Sequence, residues 1–194
     1  MENKIAIIRE KLTICGQTFV QKDFLTKILD KFAPNYSIED LCTKWLLTPI
    51  KRDKRYINNK SRSFVNPFVV GALYMWDDTY MFGWLSIYNR YGFSEQVAER
   101  YTIYNTKYSW KKIIGPCKFI FVRQRESFFY GGIEQKVDKY LYKVMSKERV
   151  FIQLIKENKK FDTLPSTINK KQLQTLAKKY VSKNLYTKIS ALCL

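Results

Sequence analysis

The spacing of apolar side chains changes period near residue 46, and that change limits the folds open to the first sixty residues. Ile5, Ile8 and Leu12 recur at helical spacing and Gly16 stands where a helix would close, which predicts a first helix over about residues 3–14. Thr18 and Gln21 have the T-x-x-Q form of a capping box. Phe24, Leu25, Ile28, Leu29 and Phe32 then trace one apolar face until Pro34 stops a second helix. Ser37 and Asp40 make an S-x-x-D box ahead of Ile38, Leu41, Cys42 and Trp45, which continue at i, i+3, i+4 and i+7 as a third helix. Residues 46–50 and 56–58 instead flank a charged cluster in the manner of a β-hairpin.

Three helices followed by a hairpin are the parts of a winged helix-turn-helix, whose third helix enters the major groove while the wing reaches the backbone or minor groove. The hairpin tip carries Lys51, Arg52, Lys54 and Arg55 with only Asp53 against them. Four such charges repel one another unless an anion approaches, although an ordinary solvated turn is the competing reading. Tyr36, Ser37, Thr43 and Lys44 lie on or beside the third helix. Gln21 and Lys22 at the start of the second helix, with Lys60 and Arg62 past the hairpin, complete the candidate DNA contacts. Glu39 and Asp40 would repel phosphates, so their expected role is to complement the positive end of the helix dipole.

Charge points the same way. Lys and Arg number 35 against 17 Asp and Glu, a formal excess of +18, with 13 basic and 7 acidic residues before Ser63 and 22 and 10 from there on. Such an excess favours polyanionic partners through counterion release, the competing reading being a Lys-rich solvated surface of an AT-rich genome. With 13 Phe, 14 Tyr and 4 Trp, the chain can bury a core, which excludes a disordered basic tail. The absence of His removes every mechanism that needs imidazole as a base, acid or ligand. Cys15, Cys42, Cys117 and Cys193 form no C-x-x-C pair and are expected as buried free thiols in a reducing cytoplasm. No secretory leader and no membrane-length apolar run is read, so a cytoplasmic protein without a membrane partner is expected.

Asn66-Pro67 marks a new helix start, giving expected domains of 1–62 and 63–194. Thr79 to Tyr91, with Tyr80, Trp84, Leu85 and Tyr88, reads as a helix ended by Gly92, and Asp78 or Thr79 as its cap. Residues 100–104, 118–122 and 137–144 alternate as strands. Ser146 opens a further helix and residues 169–181 form another. The expected fold class is α+β: an N-terminal winged helix-turn-helix and a C-terminal mixed domain with an antiparallel-type sheet and flanking helices.

Residues 83–93, with Trp84, Tyr91 and Gly92, resemble the helix of AbiEi-type antitoxins that ends in a small-aromatic-glycine turn. Asn105-Thr106-Lys107, Gly115 before the strand at 118–123, and the aromatic patch Phe128-Phe129-Tyr130-Gly131 follow as in that family. Residues 144–155 are similar to its Pro-Glu-Arg helix start, and Leu173, Leu176 and Tyr180 to its C-terminal helix. The resemblance implies the antitoxin of a type IV toxin–antitoxin pair, of the kind used in abortive infection and phage defence. It implies repression of its own operon through double-stranded operator repeats, and a second domain that counters a nucleotidyltransferase-like toxin without a stable complex necessarily forming. No enzyme activity, cofactor or metal is then expected. Two alternatives stay open: a stand-alone winged-helix transcription factor, and a metal-dependent nuclease using Glu134 and Lys136 as an E-x-K pair with Glu126, Asp77 or Asp78 as the further acid.

Overall fold

The computed structural model describes residues 2–51, 54–76 and 78–193. The chain forms two compact units, Met1–Trp76 with Lys112–Phe119, and Asp77–Lys111 with Ile120–Leu194. Helices and sheets occur together, in an α+β arrangement.

In the first unit α1 (Glu2–Ile14), β1 (Phe19–Gln21), α2 (Lys22–Phe32) and α3 (Ile38–Thr43) precede the hairpin β2 (Leu47–Lys51) and β3 (Arg55–Asn58), and α4 (Pro67–Tyr74) follows. The strands make an antiparallel sheet in the order β1-β3-β2. Ile8 and Leu12 of α1, Leu25 and Leu29 of α2, and Leu41 of α3 bury against Val20, Leu47 and Tyr56 of the sheet. The α3 start is the expected capping box, with Asp40 N–H donating to the Ser37 hydroxyl at 3.1 Å and Ser37 N–H to the Asp40 carboxylate at 2.7 Å. Asn66 caps α4 through the N–H groups of Phe68 and Val69.

Two local expectations fail here. The T-x-x-Q box does not form: residues 19–21 are strand, Gln21 itself caps α2 without a side-chain hydrogen bond, and the Thr18 hydroxyl lies 3.5 Å from that of Ser61. Pairing with β3 and burial of Phe19 and Val20 outweigh one local cap. Trp45 does not continue the apolar face of α3, because the helix ends at Thr43 and the buried place passes to Leu46.

A six-stranded sheet has the order β6-β7-β5-β4-β9-β8, from β4 (Tyr80–Gly83), β5 (Tyr101–Asn105), β6 (Trp110–Ile114), β7 (Cys117–Arg123), β8 (Gly132–Val137) and β9 (Tyr140–Met145), of which β4, β5, β8 and β9 lie wholly in the second unit. Its helices are α5 (Leu85–Arg90), α6 (Lys147–Lys156), α7 (Lys170–Tyr180) and α8 (Lys183–Ala191). Ser146 caps α6 as expected, and Asn169, expected as the first residue of a helix over 169–181, caps α7. Phe151, Ile152 and Ile155 of α6 pack with Leu173 and Ala177 of α7 and Ile189 of α8.

The sheet is mixed rather than antiparallel throughout, since β4 runs parallel to β9. The long connection between these strands permits that direction, whereas neighbouring hairpins do not. Residues 80–83, expected in a helix, are this inner strand, and all four are buried. A strand covered on both faces shows an unbroken apolar run with no alternation. Gly83 is required by the close approach, because a Cβ there would lie 2.7 Å from Tyr104 and 2.8 Å from Met145. No helix starts at Asp78, whose carboxylate instead pairs with Lys107, and Asp77 lies outside the described residues. The expected strand at 137–144 is the turn and second arm of a hairpin, reversed at Asp138 with φ +53°. Strands β1, β6 and β8 and helix α8 were not expected.

The four cysteines are free, Cys117 and Cys193 buried and the other two half-buried. Burial pushes the Cys117 thiol up to about 11, so it stays protonated at neutral pH.

One buried polar side chain ties α1 to the sheet. The Asn58 amide donates to the carbonyls of Leu12 at 2.7 Å and Gln17 at 3.0 Å, and its oxygen accepts from Lys60 N–H at 3.0 Å. Replacing Asn58 by Ala leaves those groups unsatisfied and should destabilise the protein by about 1–3 kcal/mol. Urea unfolding measures this, and an unchanged midpoint would contradict it.

Candidate nucleic-acid interface

The expected contact residues of the first unit fall into two groups, and the pairing of β1 with β3 creates the first. Its register sets Gln21 opposite Arg55, while β2 sets Lys51 opposite the same residue. The N–H of Lys22 donates to the Lys54 carbonyl at 3.1 Å, so the first turn of α2 is bound to the hairpin. Gln21, Lys22, Lys51, Lys54 and Arg55 therefore gather at one end of the sheet, although more than thirty residues separate Gln21 from Arg55. Arg52 and Asp53, between β2 and β3 in the sequence, lie outside the described residues. Lys22 and Lys54 are exposed. Arg55 is half-buried with its guanidinium carbon 3.8 Å from the ring centre of Trp76, so it braces the hairpin base by stacking.

The second group surrounds α3 and the far end of β3. Ser37 and Thr43 are exposed, but their hydroxyls are engaged within the helix, that of Ser37 in the cap and that of Thr43 on the Glu39 carbonyl at 3.0 Å. Tyr36 is half-buried, and Lys44 is exposed at the end of the helix. The Asn59 amide donates to the Trp45 carbonyl at 3.2 Å, and Asn59 N–H to that of Leu46 at 3.0 Å, which brings the turn leading to Lys60 beside Lys44 and Trp45. Arg62 is exposed beyond it. Trp45 and Asn59 were not among the expected contacts. Trp45, expected on the apolar face of α3, is 80% exposed.

Asp40 has the expected structural role. The Ser37 N–H, and then its hydroxyl, hold the Asp40 carboxyl below the usual carboxylate range, with Lys44 adding to the effect.

The E-x-K residues lie in the second unit. Glu134 and Lys136 stand two apart on β8; Glu134 faces Lys143 across the β8–β9 pair, with 3.9 Å between the charged atoms. Glu134 and Asp78 both line a cleft of about 600 Å³, whereas Glu126 lines a different one with Arg123 and Arg125. Among the described residues no three His, Cys, Asp or Glu side chains converge to hold a metal ion.

The aromatic patch is half-buried and is organised around a cation that sequence reasoning missed. Arg149 is 3% exposed. Its guanidinium carbon lies 4.1 Å from the Tyr130 ring centre and 5.0 Å from that of Phe128, and it donates to Gln153 at 3.3 Å. Burial lowers its pKa, opposed by the neighbouring tyrosines. Tyr130 in turn stacks on Tyr180 at 4.4 Å. On α7 the basic residues Lys170, Lys171, Lys178 and Lys179 are all exposed. Among the described residues no helix is long and apolar enough to cross a membrane.

The lowered pKa of Asp40 carries a sign. Its contribution to the α3 cap is present above the ordinary Asp value of about 3.9 and is lost as pH falls through the lower folded value. The melting-temperature difference between wild type and Asp40→Asn should therefore vanish in strong acid, and a difference constant from neutral pH downwards would refute the assignment.

No protein-family model matches the chain, and no curated protein matches it at a significant level.

Proposed function

We propose that the first unit is a winged helix-turn-helix that binds double-stranded DNA, with α3 as the helix presented to the groove and the β2–β3 hairpin as the wing. The observation that carries this reading is the β1–β3 register, which assembles Gln21, Lys22, Lys51, Lys54 and Arg55 into one basic end of the sheet. The order of three helices, a short strand and a hairpin agrees with it. Lys22 and Lys54 contact phosphates, with Arg52 at the wing tip, while Arg55 steadies the wing against Trp76. Since Ser37 and Thr43 are engaged within α3, base recognition falls to few side chains, and backbone contacts supply most of the affinity.

The resemblance of residues 83–93, 105–107, 128–131 and 144–155 to AbiEi-type antitoxins extends the proposal. In this reading the protein is a cytoplasmic antitoxin that represses its own operon, and the second unit counters a nucleotidyltransferase-like toxin. It works by binding, without catalysis. The stand-alone transcription factor differs in having no toxin to counter, and the nuclease reading needs a third metal ligand beside Asp78 and Glu134.

Titration of a labelled duplex from the gene's own upstream region and a shuffled control, at two salt concentrations, tests the DNA reading. Tighter binding to the native duplex is expected. Lys22→Ala and Lys54→Ala should each reduce the slope of log K against log salt by about 0.9. Slopes equal to wild type would remove these residues from the interface. For the second unit, coexpression with a toxin encoded beside the gene should restore growth, and charge reversal at Lys170, Lys171, Lys178 and Lys179 separates antitoxicity from DNA binding. Failure of the intact protein to restore growth would leave the transcription-factor reading.

A further inference from the structure

Three helices of this protein close with the same backbone device. At the end of α5, Gly92 N–H donates to the Asn89 carbonyl at 2.9 Å and Phe93 N–H to that of Tyr88 at 2.8 Å. At the end of α6, Asn158 N–H donates to Ile155 and Lys159 N–H to Leu154, both at 3.0 Å. At the end of α3, Trp45 N–H donates to Cys42 and Leu46 N–H to Leu41, both at 3.0 Å. Each is a Schellman motif, and in each the residue after the helix is left-handed, with φ of +76° at Gly92, +62° at Asn158 and +56° at Trp45. That position favours Gly, and tolerates Asn, because a Cβ crowds the following carbonyl. The motifs of α5 and α6 use Gly and Asn there, and α1 also ends on a left-handed glycine, Gly16, with φ +61°, whereas α3 uses Trp.

Packing gives no reason for the exception. The apolar contact that closes such a motif is made by Leu41 and Leu46, both fully buried, while the indole is 80% exposed. A large side chain kept in an unfavourable backbone conformation and then left in solvent points to use outside the fold. Its setting indicates the user. Lys44 immediately precedes it, and the Asn59 bonds bring the turn leading to Lys60 alongside. An exposed, flat, apolar side chain in a turn that also carries Lys44 and adjoins half-buried Lys60 suits the alternating sugar and phosphate of a nucleic-acid backbone.

We propose that Trp45 contacts the duplex directly, its indole packing on a backbone sugar while Lys44 and Lys60 reach the adjacent phosphates. The proposal rests on the DNA-binding reading of the first unit. It makes the α3–β2 turn a second contact beside the wing.

The test uses the full chain as wild type, Trp45→Gly, Trp45→Asn and Trp45→Phe, with thermal melting and duplex titration at two salt concentrations. Gly should hold the melting temperature or raise it by roughly 2–4 °C, since it relieves the left-handed residue. Gly and Asn should both weaken duplex binding by about five- to tenfold, and Phe should restore part of it. The salt slope should stay at the wild-type value because no charge is removed, unlike that of the lysine variants. Equal binding by wild type and Trp45→Gly overturns this inference and leaves the DNA reading standing. Lowered melting temperatures in both Gly and Asn variants make the indole a structural residue and overturn it as well. A wild-type protein that binds no duplex at low salt ends the DNA reading and this inference together.

Discussion

Pairing of three residues, Phe19–Gln21, with the far arm of a hairpin more than thirty residues away holds the basic surface of the first unit together. The strand is short, and its backbone bonds alone would be marginal. Burial of Phe19 and Val20, which point to opposite faces of the strand, and the Lys22–Lys54 bond at its end make up the difference. Once this pairing is made, the start of α2 is fixed against the hairpin, and basic side chains from two distant segments share one end of the sheet. Without it the same residues would be a charged turn and a helix terminus with no common geometry. Lys22 and Lys54 are exposed, so solvent and salt screen their repulsion, while Arg55 stacks on Trp76.

Two polar clusters that shape the first unit answer backbone demands. Asn58 supplies both donors and an acceptor where α1 ends against the sheet, and Ser37 with Asp40 closes the start of α3. The Ser37 and Thr43 hydroxyls are thereby engaged within α3. A helix whose hydroxyls are engaged internally suits backbone recognition and DNA shape better than an extended base code. The left-handed Trp45 belongs to the same economy, since its side chain is the largest group that this end of α3 offers to a partner.

In the second unit the deciding constraint is the burial of β4 between β5 and β9. Its four residues have no solvent-facing side, and Gly83 is held to a bare Cα by Tyr104 and Met145. Around the nearby aromatic patch, Arg149 is buried without a close carboxylate partner among the described ion pairs. The faces of Tyr130 and Phe128 take the place of an anion. Stacking of Tyr130 on both Arg149 and Tyr180 links α6 to α7 through one ring.

The sequence by itself determined the features set by neighbours in the chain. The periodic faces of α2 and α6, the Ser37–Asp40 box, the Asn66 and Ser146 caps and the reversal at Gly92 are local hydrogen bonds and side-chain spacings, legible from a few residues. The hairpin at 47–58 was legible for the same reason. Tertiary structure alone decided where propensity and pairing disagree. It turned Phe19–Gln21 into strand against a local cap, made Tyr80–Gly83 an inner strand rather than the first turn of a helix, and stopped α3 before Trp45. In each case burial against distant residues outweighed a local preference worth about 1 kcal/mol or less. The candidate interface divides in the same way. Its residue types were visible in the sequence, but their grouping, the engagement of Ser37 and Thr43, the stacking of Arg55 and the exposure of Trp45 depend on contacts that no local window contains.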